Sequence, residues 1–596
     1  MKKKLIKLYI DGQEVQVPEG STILDAARKL KIHIPTLCYH DDLCIAGNCR
    51  VCVVEVEGHP RLEPSCSYPV YEGMKVKIQS PRVRKARQDI VALLVSEHNT
   101  QCTTCYRSTN CELQDLAHEY NIDHEFYLSV LKVPYEIDKS SLSIEKDLSK
   151  CVRCQRCVRT CEELQNVNAL TVAARGKDMY ITTFMDSPMA EVVCTNCGQC
   201  VNHCPTGALT ERRYFHEVWE AIGDPDKYVI INTAPSVRVA IGEPFGYEPG
   251  SIITGKMVTA LRRIGFDSVL DTNFTADLTI IEEASELVQR LKRKFVDGDE
   301  SVKIPMLTSC SPGWIKYIEH MYPQLLGHLS TCKSPQQMFG AVAKTYFAEK
   351  NNLDPEKIFV VAGMPCAAKK FEANRPEMYS SGYQDIDYGL TTRELAQMIK
   401  QAGIDLHDLP ESDFDDLMGM ASGAGDIFGA TGGVMEAALR TAYFFITGRN
   451  VPFPNLDIKP VRGLGTVKEV SIKFENVKPE FSFLEGLEVK FAVAHGLKNA
   501  KLICDQIKQG KSPYIFIEIM ACPGGCIGGG GQPIPTNDEI RLKRIKAIYE
   551  IDKNKKVRTS HENPQIKQIY EEFLKEPLGH KSHQLLHTHY VPRNRW

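Results

Sequence analysis

The residues with the clearest chemical potential in this 596-residue chain are its 22 cysteines, because thiolates bind soft metals or pair as disulfides. Most of them lie in residues 1–204, and only six lie beyond. Small secreted domains use cysteines for disulfides, but this chain is large, and Lys7, Asp11 and Gln13 interrupt any apolar signal core. The cysteine distribution therefore favours metal ligation.

The first cysteine run contains one close pair and two distant partners: Cys38, Cys49, Cys52 and Cys66. Such a loop can fold around two irons, whereas zinc ligands usually come as two close pairs. We predict a 2Fe–2S cluster here, with structural thiols or a zinc knuckle as the alternative. Cys44 lies in the same loop but off the ligand spacing, and we interpret it as a bystander.

The second run offers three thiolates and one imidazole, from His98, Cys102, Cys105 and Cys111. This ligand set suits zinc or a His-ligated iron–sulfur cluster, and alone it would favour zinc. Following a predicted 2Fe–2S domain, however, the run resembles the His-ligated 4Fe–4S module shared by complex I and FeFe-hydrogenases, and this resemblance implies a 4Fe–4S site.

The next two runs repeat the spacing C-x2-C-x2-C-x3-C, which is typical of ferredoxins with two 4Fe–4S clusters. In such proteins the fourth cysteine of each run ligates the other cluster. One predicted centre is therefore held by Cys151, Cys154, Cys157 and Cys204. The other is held by Cys194, Cys197, Cys200 and Cys161.

The elements that must position these ligands change along the chain. Near the N-terminus, IKLYIDGQEVQVPEGSTILDAARKL predicts two strands joined by an Asp-Gly turn, then a helix that begins at Ser21 or Thr22. Beyond Glu211, apolar strand-like runs alternate with amphipathic helical segments, which indicates parallel α/β units.

Three of the later cysteines, Cys310, Cys366 and Cys522, each follow one of these strand-like runs. Sites in open α/β sheets are built in the crevice at the carboxyl ends of strands. We therefore expect these cysteines to converge there from distant positions in the sequence.

Composition excludes several classes of protein. Hydrophobic residues make up 43% and charged residues 25%, which is ordinary for a folded globular protein. The net charge of −3 gives no basic excess, so nucleic acid is not expected as a partner. Apolar runs such as 358–368 are too short to cross a membrane. We predict a cytoplasmic protein without a membrane span.

Three later segments carry a resemblance to a known family: TSCSPGW (308–314), MPCAAKKFE (364–372) and EIMACPGGCIGGGGQP (518–533). They resemble the three H-cluster segments of FeFe-hydrogenases. The N-terminal text CYHDDLCIAGNCRVC is similar to the iron–sulfur subunit of complex I. The whole order resembles the large multi-cluster FeFe-hydrogenases, in particular the catalytic subunit of multimeric NAD(P)-linked, electron-bifurcating enzymes.

The resemblance implies an α+β multidomain fold with five parts. They are a β-grasp 2Fe–2S ferredoxin-like domain (1–80), a His/Cys-ligated 4Fe–4S domain (81–140), a ferredoxin-like domain with two 4Fe–4S clusters (141–220), an α/β H-cluster domain of two sheet-containing lobes (221–560) and a C-terminal tail (561–596).

It also implies a set of cofactors: one 2Fe–2S cluster, three accessory 4Fe–4S clusters and the H-cluster. In the family, a 4Fe–4S cube shares one cysteine, here Cys526, with a two-iron subsite that carries CO, cyanide and an azadithiolate bridge. Cys366, Cys522, Cys526 and a cysteine of the first segment would hold the cube. Lys369 would donate a hydrogen bond to a cyanide ligand. The subsite would be lined by Pro235, Ser236, Gln336, Met364 and Met520. The glycines at 524, 525 and 528–531 would make room for the inorganic group.

The first H-cluster segment departs from the family pattern. Members often have two adjacent cysteines, of which the first relays protons and the second ligates the cube, but here Cys310 is followed by Ser311. By strict alignment, Cys310 keeps the relay role, and the fourth ligand of the cube is either the Ser311 oxygen or absent. A shifted loop would instead make Cys310 the ligand, which suits the preference of iron–sulfur clusters for thiolate. Both alternatives remain open at this point.

The family's proton route, carried over residue by residue, gives Cys310, Glu283, Ser330 and Glu286. Glu283 and Glu286 are three residues apart, so they share one face if the segment is helical. The alternative interpretation is a solvated acidic helix face.

The expected function is that of an FeFe-hydrogenase catalytic subunit, which interconverts protons and electrons with H2. Electrons would pass through the N-terminal clusters to a flavin- and NAD(P)-binding iron–sulfur subunit, a small 2Fe–2S subunit and ferredoxin, by electron bifurcation. One alternative is a non-catalytic electron-transfer scaffold or sensor of the same family without the two-iron subsite. Another is a complex-I-type dehydrogenase subunit.

A few signals remain outside this scheme. Cys44, Cys332 and Cys504 are interpreted as ordinary thiols. The histidine-rich C-terminus, with His580, His583, His587 and His589, is interpreted as a docking tail or plain surface rather than a metal tract.

Overall fold

The computed structural model describes residues 4–122 and 136–594. Residues 1–3, 123–135 and 595–596 of the predicted domains therefore lie outside the described residues. The chain divides into two compact units. The first contains residues as far as Glu163, Asn168–Ala190 and His203–Thr210, and the second contains Leu164–Val167, Glu191–Asn202 and the chain from Glu211 onward.

The first unit is built mainly from short strands. Its elements are β1 (Leu5–Ile10), β2 (Gln13–Pro18), α1 (Ile23–Lys29), β3 (Val53–Val56), β4 (Leu62–Pro64), β5 (Lys75–Lys77), α2 (Pro81–Glu97), α3 (Glu112–Glu119), β6 (Ile144–Lys146), α4 (Arg156–Arg159), β7 (Thr171–Ala173) and β8 (Tyr180–Thr182). Along the chain, α5 (Gln199–His203) and β9 (Leu209–Glu211) each run from one unit into the other.

The N-terminal sheet confirms the local predictions for this region. Five strands pair in the order β2-β1-β5-β3-β4. The antiparallel β1–β2 hairpin turns through Asp11 and Gly12, both with positive φ, as the Asp-Gly signal predicts. Thr22 caps α1 through a reciprocal capping box with Asp25, which satisfies backbone N–H groups that the first helical turn leaves unpaired.

The second unit alternates strands and helices. Its elements are α6 (Phe215–Ile222), β10 (Tyr228–Thr233), α7 (Thr254–Ile264), β11 (Ser268–Asp271), α8 (Thr272–Phe295), β12 (Met306–Leu307), α9 (Pro312–Met321), α10 (Pro335–Val342), α11 (Ala348–Asn351), β13 (Ile358–Met364), α12 (Ala368–Ala373), β14 (Tyr388–Thr391), α13 (Thr392–Gln401), α14 (Gly423–Ile427), α15 (Gly433–Thr447), β15 (Val467–Lys473), β16 (Glu488–His495), α16 (Leu497–Lys508), β17 (Tyr514–Met520), α17 (Asp538–Asn554), α18 (Pro564–Ile569) and α19 (His580–Leu586).

Two four-stranded sheets organise the second unit, with strand orders β11-β10-β13-β14 and β12-β17-β16-β15. All neighbours in the first sheet are parallel, and in the second only β15 is antiparallel. The prediction of parallel α/β units is thus confirmed except at β15. The chain reverses its direction of sheet growth at β10 and β13, so the carboxyl ends of these strands open a crevice.

The C-terminal segment belongs to the hydrophobic core of the second unit. Ile569, Phe573, Leu585 and Leu586 are buried in the same cluster as the strand residues Ile230 and Val361. The prediction of a separate tail over 561–596 is therefore wrong for the described part, because its apolar side chains are buried by the preceding domain. Among the helices of residues 4–122 and 136–594, none is long and apolar enough to span a membrane.

Candidate metal centres and active site

In the first unit, the structure brings together the four cysteines predicted to bind a 2Fe–2S cluster. The Cys52 and Cys66 sulfur atoms are 3.4 Å apart. Hydrogen bonds from the Cys49 and Cys66 thiols lower the pKa of Cys38. Cys44 is exposed, and its sulfur is 2.6 Å from Oε1 of Glu163 instead. The structure thus gathers the four cysteines and places Cys44 against Glu163, and the binding of a 2Fe–2S cluster by the four stays a prediction.

The His98 run occupies the connection between α2 and α3. His98 is buried at the C-terminal end of α2, and Cys111 is buried at the start of α3. The pKa of Cys111 is raised, mainly by burial, with a smaller contribution from the charge of Cys105. The assignment of all four residues to one cluster stays a prediction.

One predicted ferredoxin centre is assembled around a small pocket in the first unit. The pocket is lined by Cys151, Cys154, Cys157 and Cys204. Burial, and then the charges of the other three thiols, raise the pKa of Cys157. The cross-over of the fourth cysteine is thus present in the geometry. In the other set Cys161 belongs to the first unit and Cys194, Cys197 and Cys200 to the second, and that set stays a prediction.

The second unit contains a cavity at the strand ends where the later cysteines were expected. The space open to the centre of a water-sized sphere is about 70 Å³, and one water needs about 10–15 Å³ by the same measure. The cavity therefore has room for a group of several heavy atoms. Its lining includes Cys310, Ser311, Cys366, Cys522 and Cys526, together with Cys197.

Three of these cysteines face one another as a metal site requires. Burial and then the charges of Cys366, Cys197 and Cys526 raise the pKa of Cys522. Burial and the charge of Cys366 raise the pKa of Cys526 to about 12. Buried thiols close to one another keep their protons unless a metal cation takes the place of those protons. This arrangement is therefore typical of metal ligands.

The glycine-rich segment is explained largely by contact between backbones. A Cβ at Gly530 would lie 2.1 Å from the carbonyl oxygen of Cys197, and one at Gly525 would lie 2.7 Å from the backbone nitrogen of Thr431. Gly525 also has a φ of +87° and lines the cavity. At Gly530, close packing of protein backbone replaces the expected role of making room for an inorganic group. At Gly525, both explanations apply.

Most of the predicted lining residues reach the cavity. Pro235, Gln336, Met364 and Met520 line it, and Lys369 does so as well. Ser236 does not, and its backbone carbonyl instead accepts a hydrogen bond from the Gln532 side chain at 3.1 Å.

Lys369 has an ion-pair partner that the sequence interpretation missed. Its Nζ is 2.7 Å from Oε2 of Glu372 and donates to the carbonyl of Cys310 at 3.2 Å. Both charged side chains are nearly fully buried. The i, i+3 spacing of opposite charges in MPCAAKKFE was a signal that could have identified Glu372.

Two of the predicted proton-route residues, Glu283 and Glu286, lie on the long helix α8. Glu283 and Glu286 are both buried, so the solvated-face interpretation is wrong. The Ser330 hydroxyl donates to Oε2 of Glu286 at 2.7 Å. Burial, and then the charge of Glu286, raise the pKa of Glu283 to about 8, while a hydrogen bond with Ser330 opposes this rise. Glu283 also exerts the largest charge effect on the Cys310 thiol, which raises the pKa of Cys310 beyond the effect of burial.

Arg290 and the C-terminal segment complete the surroundings of Glu286. Arg290 donates to Oε1 of Glu286 at 2.6 Å from the next turn of α8. His587 contacts Thr331 Oγ1 at 2.8 Å and Glu282 Oε2 at 3.1 Å. The i, i+4 spacing could have identified Arg290, but nothing in the sequence links Glu282 with a residue some 300 positions later.

Cys332 is also more than an ordinary buried thiol. Its sulfur is 3.8 Å from Oε2 of Glu286, and Glu286, Cys332 and His587 place one potential ligand atom each within 4.8 Å of the others. Cys504, in contrast, is fully buried in α16 as an ordinary core residue.

The donor set fits an iron–sulfur group with an attached polar component. Three thiols converge, and Gln336 Oε1, a buried polar atom of a lining residue, has no hydrogen-bond partner among residues 4–122 and 136–594. Buried polar groups are normally paired, so this atom is consistent with a missing polar partner in the cavity. Together with the cysteine sets of the first unit, this site defines an iron–sulfur oxidoreductase.

Comparison with known families identifies the matching domains. The model of the iron only hydrogenase large subunit, C-terminal domain, matches residues 227–530, and that of the iron hydrogenase small subunit matches 538–593. A 2Fe-2S iron-sulfur cluster binding domain matches 3–81. The NADH-ubiquinone oxidoreductase-G iron-sulfur binding region matches 87–125, and the ferredoxin-like domain of NADH-quinone oxidoreductase subunit 3 matches 141–210.

Individual relatives agree with these matches. The chain is 49% identical to the NADP-reducing hydrogenase subunit HndD of Solidesulfovibrio fructosivorans, over 99% of this chain and 100% of that protein. It is 39% identical to iron hydrogenase 1 of Clostridium pasteurianum, over 98% and 99%. A solved structure of the FeFe-hydrogenase HydA1 from Chlamydomonas reinhardtii has 42% identity and a TM-score of 0.56, and the match covers 63% of this chain and 98% of that chain. The chain belongs to the iron-only hydrogenase family and is an iron hydrogenase with N-terminal iron–sulfur domains.

Proposed function

We propose that this iron hydrogenase interconverts two protons and two electrons with H2 at an H-cluster in the second-unit cavity. The observation that carries the proposal is the meeting of Cys366, Cys522 and Cys526 with Lys369 in one buried space. When bound, the two-iron subsite would supply the reaction centre at which H2 is formed or cleaved.

The protein residues would orient that group and keep it dry. Lys369, fixed by its ion pair with Glu372, would present its ammonium group to an anionic ligand. Gln336, Met364, Met520 and Pro235 would pack around the subsite, and the hydroxyl of Ser236 would act from behind Pro235.

The same residues provide a path for protons. A proton would pass from Glu286 through the Ser330 hydroxyl to Glu283 and then to the Cys310 sulfur. The 2.7 Å contact between Ser330 and Glu286 is within the reach of direct transfer. A carboxyl pKa of about 8 lets Glu283 both accept and release a proton near neutral pH. Arg290, at the outer end, would hold Glu286 in place.

Electrons would travel through one 2Fe–2S and three 4Fe–4S accessory clusters in the N-terminal domains. We propose a flavin- and NAD(P)-binding iron–sulfur subunit as the partner, with a small 2Fe–2S subunit, in a cytoplasmic complex that can also exchange electrons with ferredoxin by bifurcation. Support comes from the match of residues 87–125 and 141–210 to NADH oxidoreductase domains and from the NADP-reducing relative.

The partner requirement is tested with the full-length chain after maturation. Alone, it should evolve H2 from a reduced artificial dye and should give none from NADH or NADPH. Addition of the flavin subunit should restore the nicotinamide-linked reaction. Nicotinamide-linked turnover by the isolated chain would contradict the partner requirement.

The H-cluster is tested by infrared spectroscopy on the same matured sample. We expect bands from CO and cyanide ligands, together with an iron content that exceeds the accessory clusters. A non-catalytic scaffold or sensor without the two-iron subsite would show neither the bands nor dye-linked H2 evolution.

A further inference from the structure

Apart from Cys310, and from Cys197 of the predicted ferredoxin set, the cavity offers three thiols, those of Cys366, Cys522 and Cys526. An iron–sulfur cube has four corners, and the candidates for the fourth ligand are Cys310 and Ser311. This inference rests on the proposed function, because it concerns which of the two side chains faces the cube. Both residues line the cavity, so lining alone does not separate them. The hydrogen bonds made by these two residues and their neighbours do distinguish between them.

The segment from Thr308 to Ser311 runs beside β17, the strand that leads into Cys522. The backbone N–H of Ile519 donates to Oγ1 of Thr308 at 3.1 Å, and the backbone N–H of Ala521 donates to Oγ of Ser311 at 3.2 Å. Ala521 directly precedes Cys522. The Ser311 oxygen therefore lies beside the stretch of chain that carries Cys522, one of the three proposed ligands of the cube.

Ser311 does not perform the task that serine usually has at this position. It is the residue before α9 and has extended backbone angles (φ −101°, ψ 103°), yet its side chain makes no capping hydrogen bond to the helix. A serine at an N-cap normally accepts from the second or third N–H of the helix. Here the hydroxyl is directed towards the end of β17 instead.

Cys310 is directed elsewhere. Adjacent side chains on extended backbone point to opposite sides. The Cys310 carbonyl accepts a hydrogen bond from Lys369 Nζ at 3.2 Å, which fixes the backbone at this point. With the Ser311 oxygen directed to the end of β17, the Cys310 sulfur is therefore directed away from it.

We infer that the Ser311 oxygen, and not the Cys310 sulfur, occupies the fourth protein corner of the cube. The Oγ–H bond breaks as the Oγ–Fe bond forms, the proton leaves to solvent, and no electrons are transferred. The Ala521 N–H, already placed on this oxygen, would stabilise the resulting alkoxide by a charge-assisted hydrogen bond. Because an alkoxide is a harder donor than a thiolate, the cube should have a lower reduction potential than one with four thiolates.

The test compares variants of the full-length chain by EPR-monitored redox titration, with the accessory clusters as internal references. S311C should raise the potential of one 4Fe–4S signal and change its g values, and S311A should change or remove the same signal. C310A should leave that signal unchanged. S309A is the matched control, because the Ser309 hydroxyl donates to the Cys332 carbonyl at 2.6 Å and Ser309 is not among the cavity-lining residues.

Two outcomes would overturn the assignment. A cube signal that is lost or shifted in C310A would make Cys310 the ligand, and a signal unchanged in S311A would leave the cube with three protein ligands. Failure of the proposed function is distinguishable, because the wild-type chain would then lack the CO and cyanide infrared bands and dye-linked H2 evolution, whichever residue ligates the cube.

Discussion

The first unit and the cavity of the second unit both gather cysteines, but they do so in different ways. In the first unit, Cys151, Cys154 and Cys157 come from one short segment that ends in α4, and only Cys204 is distant in the sequence. In the second unit, the cavity takes residues from the ends of β10, β12, β13 and β17, spread over some 300 positions. A ligand set of the first kind depends on local spacing, and a set of the second kind depends on the whole sheet topology.

This difference has a functional consequence. A short loop can hold a cluster almost independently of its surroundings, which suits electron transfer by many similar centres. A site built from several strand ends can surround a group on all sides with acids, amides and thioethers, which suits catalysis in a dry space. Variants in the two regions should therefore fail differently.

The largest effect is expected for C522A. Loss of this buried thiol would remove a proposed ligand of the cube, so dye-linked H2 evolution should fall below detection and the iron content should drop. C504A is the matched control, because Cys504 is equally buried but lies in α16 away from the cavity. We expect it to keep its iron and most of its activity. Substantial activity in C522A would exclude Cys522 as a ligand.

E283Q should have the next largest effect, because it removes a proton carrier and leaves the cluster ligands intact. General acid–base groups contribute about 10²–10⁴-fold to rate, and dye-linked turnover should fall by a factor in that range. The infrared bands of the H-cluster should persist. Loss of those bands would show that Glu283 is needed for cofactor insertion instead.

The raised pKa of Glu283 gives a separate prediction. With a pKa of about 8, this carboxyl should be protonated at pH 6 and ionised well above pH 8. Below the ordinary glutamate pKa, both the folded and the unfolded chain hold this proton, and the contribution of Glu283 to the free energy of unfolding is complete. As pH rises, the unfolded chain loses the proton first, so this contribution falls until the folded chain also loses its proton at about pH 8. A carboxyl C=O infrared band should disappear with that midpoint in the wild type and be absent in E283Q. A midpoint near the ordinary glutamate value would contradict the burial argument.

Much of the first unit could be predicted because its signals are local. The hairpin at Asp11–Gly12, the Thr22 cap and the ligand spacings each involve residues close in sequence. In the second unit, Cys366, Cys522 and Lys369 could be predicted through the family resemblance and through the rule that sites form at strand ends. The direction of Ser311 and the partners of Glu282 could not, because they are fixed by β17 and by the C-terminal segment, which meet them only after folding.

C154A should separate the two regions by their electron paths. Removal of this ligand from the first-unit pocket should damage one accessory cluster, so the reaction linked to the flavin partner should fall by about tenfold or more. Dye-linked H2 evolution should change far less if small dyes reach the remaining clusters. C44A is the control, since Cys44 is exposed and contacts Glu163 rather than the other thiols. An equal loss of both reactions would contradict a purely electron-carrying role.

The smallest effect is expected for H587N, which tests whether the C-terminal segment is part of the catalytic unit. His587 bridges Thr331 and Glu282, and the loss of a buried hydrogen bond costs about 1–3 kcal/mol. The thermal midpoint of the full chain should therefore fall by several degrees. H583N is the matched control: His583 belongs to the same helix α19, but it is exposed and should change the midpoint little. Equal midpoints for the two variants would mean that the C-terminal segment behaves as a surface tail. A fall in H587N alone would show that this segment stabilises the acidic face of α8, on which the proposed proton route depends.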